Sequence, residues 1–248
     1  MKTKNLVTIL GMSFFFISFS SCNKDGNPGM PGTIQLNATV KSALVKSAAI
    51  LTTSGTLTLQ TATVEIRDLT IEENSGNDNQ NNNKDGGNEK DNGKDNEKKG
   101  QGNDGGDIVL AGPYVLDIVN GVATIDQVNV QPGTYKKVDF DFVAGSKNNG
   151  NSILITGEYT SAAGATIPVE LTSDLSSTVQ LPLTRNIIVS SGSAVSVSIV
   201  FDVESWLNGL DFEFALLTGN KIIINSQQNI NLYNSFVAAV KQHIQVED

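Results

Sequence analysis

Lys137-Val138-Asp139-Phe140-Asp141-Phe142-Val143 places Val138, Phe140 and Phe142 on one side of an extended chain and Lys137, Asp139 and Asp141 on the other. A period of two, with one apolar and one charged face, marks a strand that is buried on one side only. Residues 195–203 repeat the pattern: Val195, Val197, Ile199, Phe201 and Val203 share a face, with Ser196, Ser198 and Asp202 opposite. Further strands are expected at 34–40, 57–59, 64–71, 114–119, 122–130, 153–160, 166–171, 179–183 and 187–189. Asn120-Gly121 is a tight hairpin signal, and residues 161–164 form a second plausible turn. Aromatics are few, at 6%, while Ser, Thr, Val, Ile and Gly are many, which favours strands and turns over helices. The expected fold is mainly β: a single antiparallel β-sandwich over residues 34–225.

Two interruptions stand out. Residues 72–107 consist almost entirely of Asn, Asp, Gly, Lys, Glu and Gln. Such a stretch has no apolar surface to set against chain entropy, so a long disordered loop inside one domain is expected. Closing a longer loop costs little, because the entropy grows only logarithmically with length. Near the end, Leu232, Phe236, Val240 and Ile244 recur at i+4, joined by Tyr233 and Val237. This predicts a C-terminal helix within 226–248, packed on the sandwich, with Asn231 as its cap. Residues 205–210 suggest a short helical turn.

The N-terminus carries a different message. Lys2 and Lys4 precede an apolar run, and Phe19-Ser20-Ser21-Cys22 places small residues before the only cysteine. The run is too short for a comfortable membrane span. Residues 1–21 resemble a bacterial lipoprotein signal, which implies that Cys22 is lipidated (palmitate or a related acyl chain) and becomes the new N-terminus. An ordinary secretory signal and a retained anchor are the competing readings. Residues 22–33 form a Gly/Pro tether. Its charged start, Asn23-Lys24-Asp25, resembles the signal for outer-surface display in Bacteroidetes-type bacteria. The implied location is the outer membrane, lipid-anchored and facing the exterior.

Charge narrows the partners. The chain has 17 basic and 26 acidic residues; less the two leader lysines, 15 against 26 gives a net −11. Nucleic acid is excluded as a partner on this balance, because its binding is driven by basic residues.

Val128-Asn129-Val130-Gln131-Pro132-Gly133-Thr134-Tyr135 resembles the Pro-Gly-x-Tyr corner of transthyretin-like and carboxypeptidase-regulatory-like β-sandwiches. Pro132 fixes φ and Gly133 is expected to supply positive φ, so a turn is well specified there. With Gly112-Pro113-Tyr114 before it and Val200-Phe201-Asp202-Val203 after it, the order resembles an uncharacterised family of Bacteroidetes-type surface lipoproteins over residues 34–208. That resemblance implies a fold and brings no catalytic residues.

Chemistry is sparse. His243 is the only histidine, so a nucleophilic triad could use no other. Asp139 and Asp141 lie ~7 Å apart on one strand face, a separation within the glycosidase range, but Lys137 shares that face. Asp202, Glu204, Asp211 and Glu213 read as surface acids. Asn81, Asn83, Asp85 and Gly86 match part of a calcium-loop pattern, yet position twelve is Asn92 where a bidentate Glu is needed. No metal or cofactor is expected. Carbohydrate recognition wants exposed aromatic platforms; Trp206 and Tyr159 are the best candidates, ahead of Tyr114 and Tyr135, although Trp206 sits in an apolar run that favours burial. The expectation is a non-enzymatic surface lipoprotein with a binding, adhesion or scaffold role toward a glycan or protein partner. A fimbrial subunit and a surface glycan hydrolase are the alternatives.

Overall fold

The computed structural model of the chain describes residues 30–41, 49–74, 106–119 and 122–247. The leader, Cys22, residues 22–29 of the tether, the Asn120-Gly121 hairpin, the calcium-like frame and most of the 72–107 insertion lie outside the described residues. The fold is mainly β, with two sheets packed face to face.

In chain order the strands are β1 (Gly32–Val40), β2 (Ala49–Leu51), β3 (Gly55–Glu73), β4 (Ile108–Leu110), β5 (Tyr114–Asp117), β6 (Ala123–Val130), β7 (Gly133–Phe142), β8 (Ile153–Ser161), β9 (Thr166–Ser173), β10 (Ser177–Val189) and β11 (Ala194–Phe201). Helix α1 (Val203–Leu207), the hairpin β12 (Leu217–Thr218) and β13 (Lys221–Ile224), helix α2 (Ile230–Gln242) and β14 (Ile244–Glu247) complete the chain. The small sheet has the order β14-β11-β1-β6. The large one runs β10-β7-β3-β8-β9-β13-β12 by hydrogen-bonded neighbours, with β2, β4 and β5 also paired to β3.

Strand β3 organises the large sheet. Its 19 residues join what the sequence suggests are two strands and reach Glu73, inside the expected insertion. Val64 pairs with both Leu116 and Ile153, and Ile66 with both Tyr114 and Phe142. So β8 and β7 follow one another along one edge of β3, while β5 takes the other.

The expected β-sandwich is present, with two parallel pairs among its mostly antiparallel strands. β1 pairs with β11 in parallel, and β9 with β13 in parallel. Parallel partners need a long crossover, and both pairs have one: all of the large sheet's β2–β5 and β7–β10 intervene between β1 and β11. The C-terminal segment is corrected. Helix α2 is not the end of the fold, because the chain turns at His243 and returns as edge strand β14 beside β11.

The alternating faces meet in the core. Val138, Phe140 and Phe142 of β7, Val197, Ile199 and Phe201 of β11 and Ile34, Leu36 and Ala38 of β1 are fully buried. Edge-to-face rings run from one sheet to the helices: Phe142–Phe140 at 5.5 Å, Phe140–Phe201 at 6.3 Å, Phe201–Trp206 at 5.9 Å and Trp206–Phe236 at 6.2 Å. Each such pair contributes about 0.5–1.5 kcal/mol beyond its area burial. At the Pro-Gly corner the Tyr135 hydroxyl donates to the Gln131 carbonyl at 3.0 Å, which ties the start of β7 to the turn before it.

The sandwich has two poles. At one, the Met30 carbonyl accepts from Gly192 N–H and Ser191 Oγ, Gly133 pairs with Val189, and Asn74 N–H donates to the Thr134 carbonyl. The described chain begins at this pole with Met30 and is interrupted there after Asn74. At the other, Lys41 N–H donates to the Phe201 carbonyl, and Thr53 N–H to Leu210. Nine residues of β1, about 30 Å, separate the two.

Candidate functional site

The pole away from Met30 is built on Tyr159. Its ring stacks on Phe212 with centroids 5.3 Å apart, and its hydroxyl reaches the Ser54 carbonyl (2.9 Å), Ser54 Oγ (3.0 Å) and Glu213 Oε2 (3.2 Å). Burial, with the Glu213 carboxylate beside it, pushes the Tyr159 phenol above its usual range. These contacts fix residues 212–213, and Ala215 N–H closes a turn on the Phe212 carbonyl at 3.1 Å.

Asn229 holds the next stretch. Its Oδ1 accepts from Leu216 N–H at 2.7 Å, and its Nδ2 donates to the Leu216 carbonyl (3.0 Å) and the Ile223 carbonyl (2.7 Å). One side chain thus satisfies both backbone groups of Leu216, much as a neighbouring strand would. Asn229 itself takes φ 51, a conformation that Asn tolerates better than most residues. The side chains outside this frame are apolar: Phe214 is 83% exposed, Leu216 77%, Leu217 53% and Ile230 53%. A cluster of large apolar side chains on a braced turn is a contact surface by composition.

The aromatic residues expected as platforms are corrected here. Trp206 and Tyr159 are both 1% exposed, so neither offers a ring face to solvent. Trp206 lies between Phe201 and Phe236 and donates from Nε1 to the His243 carbonyl at 3.2 Å. Tyr159 supports the exposed segment from beneath. Tyr135 is also core, and Tyr114 donates to Asp126 Oδ2 at 3.1 Å. Among the described residues the exposed aromatic is Phe214, which the sequence reading passed over. Phe212-Glu213-Phe214 has the alternation that could have drawn attention to it.

The acids have structural partners. Asp139 Oδ2 sits 2.9 Å from Lys137 Nζ, and Asp141 Oδ1 accepts from Thr178 Oγ1 at 2.6 Å. Lys137 also bonds Glu72 at 2.8 Å, and these two carboxylates hold its ammonium above the usual lysine range. Asp202 caps α1 by accepting from Ser205 N–H at 3.1 Å and pairs with Lys41 at 3.0 Å. Burial pushes its carboxyl up, but Lys41 and the Ser205 donors outweigh that and leave it below the usual range. Asp211 accepts from Glu213 N–H, and Glu204 lies exposed on α1. The His243 side chain is exposed at the end of α2, while its backbone N–H donates to the Ala239 carbonyl and its own carbonyl accepts from Asp202 N–H and Trp206 Nε1.

A second feature lies between the sheets. Edge strands β10 and β14 flank a cleft of about 400 Å³ lined by Leu181, Pro182 and Thr184 on one side and residues 244–247, including Gln245 and Glu247, on the other. Neither Asp139 nor Asp141 lines it. Among the described residues no three His, Cys, Asp or Glu side chains gather as a metal group. No protein-family model, curated protein or solved structure matches the chain.

Proposed function

We propose that the chain is a lipid-anchored lipoprotein of the outer cell surface, and that it binds a protein or glycan partner without catalysing a reaction. The leader and Cys22 support the anchor. The observation that carries the binding role is the position of Phe214, Leu216, Leu217 and Ile230 on the pole opposite Met30. Seven residues lie between Cys22 and Met30, so eight Cα–Cα steps give a reach of at most ~29 Å. An acylated Cys22 would hold the Met30 pole near the bilayer, and the apolar turn would point outward. Exposed loops at the far end of an anchored scaffold are where contacts with other surfaces are made.

The test uses cells that carry the full chain. A Cys22→Ser variant leaves the membrane fraction and takes up no labelled palmitate. A Phe214→Ser/Leu216→Ser variant stays in that fraction and loses at least tenfold in binding to a glycan array or in cross-linking to neighbouring surface proteins. Membrane retention of Cys22→Ser overturns the anchor, and unchanged binding by the double variant overturns the contact surface.

The cleft between β10 and β14 favours one second reading. Two edge strands that flank an open groove are suited to receive an extended strand, as a fimbrial subunit would from its neighbour. Heat-labile polymer ladders of the native protein on a denaturing gel would support that reading.

A further inference from the structure

Carboxylates flank the exposed apolar turn. Glu213, next to Phe214, is exposed, and its Oε2 accepts from the Tyr159 hydroxyl at 3.2 Å. Asp211 Oδ1 accepts from Glu213 N–H at 3.2 Å. On the α2 side, Tyr233 lies one turn after Ile230 and donates to the exposed Asp174 at 2.8 Å. Each of these bonds comes from a neutral donor, and the ion pairs among the described residues take none of the three acids. The cation of the β12–β13 hairpin, Lys221, is held by Glu170 at 2.8 Å.

The neutral polar groups of the turn are engaged from within. Asn229 spends both ends of its carboxamide on Leu216 and Ile223. The Tyr159 hydroxyl bonds Ser54 and Glu213, and Ser54 Oγ also accepts from Glu213 N–H at 3.2 Å. What these residues leave to a partner is apolar side chain and negative charge.

That combination selects among partners. A sugar is read through directional donors and acceptors, and here those groups are turned inward. An anionic lipid surface would meet like charge at close range. A second copy of the chain would bring the same three carboxylates to the contact, and like charges across an interface oppose docking. Protein interfaces have the matching form, with an aromatic or aliphatic anchor at the centre and a polar rim around it. Asn229 and Tyr159 already fix the turn, so little ordering has to be bought on binding.

We propose that the turn docks a protein whose contact face is apolar at its centre and lined with Lys or Arg at its edge. Phe214 is the anchor, and Asp174, Asp211 and Glu213 face the cationic rim. This partner class rests on the reading of the turn as a contact surface.

The experiment titrates the full chain, carrying Cys22→Ser to avoid detergent, into two labelled amphipathic helical peptides and follows fluorescence anisotropy. Both peptides present the same leucine face; one is edged with lysines and the other with glutamates. The lysine peptide binds about tenfold or more tightly, and its advantage shrinks as salt rises. Asp211→Asn/Glu213→Gln keeps the internal hydrogen-bond acceptors and weakens the lysine peptide by about tenfold, without weakening the glutamate peptide. Asp107→Asn/Glu247→Gln removes the same charge from exposed sites elsewhere and changes binding by less than about twofold. Equal affinity for the two peptides, or equal losses in the two charge variants, overturns the proposal. Phe214→Ser/Leu216→Ser separates it from the reading on which it rests. Loss of the lysine peptide in this variant supports both. If the variant instead loses binding to a neutral glycan array or to vesicles of phosphatidylcholine and phosphatidylglycerol, with the lysine peptide unaffected, the contact surface stands and the partner class falls. If it changes the binding of no probe, both fall.

Discussion

At Asp202 one carboxylate has two tasks, and their sizes differ. Its bond to Ser205 N–H satisfies an orphan donor at the start of α1, an interaction whose loss costs about 1–2 kcal/mol. The pair with Lys41 adds less, because the lysine side chain is 54% exposed and solvent screens it. Asp202→Ala should therefore cost about 1–2 kcal/mol at pH 7, read from urea unfolding. The pH dependence has a definite sign. The folded carboxyl lies below its ordinary value of 3.8, so its stabilisation is present above that value and fades as pH falls through the folded one. The gap between wild type and variant should narrow in acid; a gap that stays constant down to pH 2 refutes this account. Tyr135 offers a simpler case. Tyr135→Phe removes only the donor to the Gln131 carbonyl and should cost about 1 kcal/mol by the same measurement. That corner was legible in part: Tyr135 does follow the Pro132-Gly133 pair into β7, but Gly133 opens the strand without the positive φ expected of it. Asn229 was not legible: its bonds run to Leu216 and Ile223, and no local spacing announces them.

Elements with strong periodicity could be read, and short or broken ones could not. The i+4 stripe of α2 does bury Phe236 and Val240, but the helix begins after Asn229, and Asn231 lies within its first turn. Strand β10 carries Pro182 and the polar run Thr184-Arg185-Asn186, where pairing with β7 lapses, so it reads as two strands. Strands β12, β13 and β14 have two to four residues each, too few to show a period. The candidate surface fell into this gap, because it is carried by the turn before β12. Two phenylalanines separate the roles of core and surface. Phe236 is fully buried against Trp206, so Phe236→Ala should cost about 3–5 kcal/mol and loosen α2. Phe214 is 83% exposed, so Phe214→Ala should change stability by no more than about 0.5 kcal/mol while weakening partner binding. Chemical denaturation of the two variants checks the pair, and a similar loss in both would mean that Phe214 is part of the core.

Across the whole molecule, the chain's four tyrosines tie its parts together. Tyr135 fastens the Pro-Gly corner, Tyr159 fastens the exposed pole, Tyr114 links β5 to β6 through Asp126, and Tyr233 links α2 to Asp174 at 2.8 Å. Burial is the first cause that raises each phenol above its ordinary value of 10.0. In three of them a carboxylate accepts the phenolic proton, so a phenolate would face like charge. The consequence for stability follows from proton counting. Above pH 10 the unfolded chain releases its tyrosine protons while the folded chain keeps them, so the folded state binds more protons and stability falls as pH rises. Lys137 acts in the same direction, since Glu72 and Asp139 favour its charged form in the fold. The acidic side is gentler, resting on half-buried Glu72, whose carboxyl Lys137 and Lys136 hold low, and on Asp202. The melting temperature should therefore drop steeply between about pH 10 and 12. Tyrosinate absorbance at 295 nm should rise in one step together with the loss of near-ultraviolet circular dichroism. Tyrosinate formed gradually from pH 10 in a chain that keeps its native dichroism would show that the four hydroxyls do not hold the fold in this way.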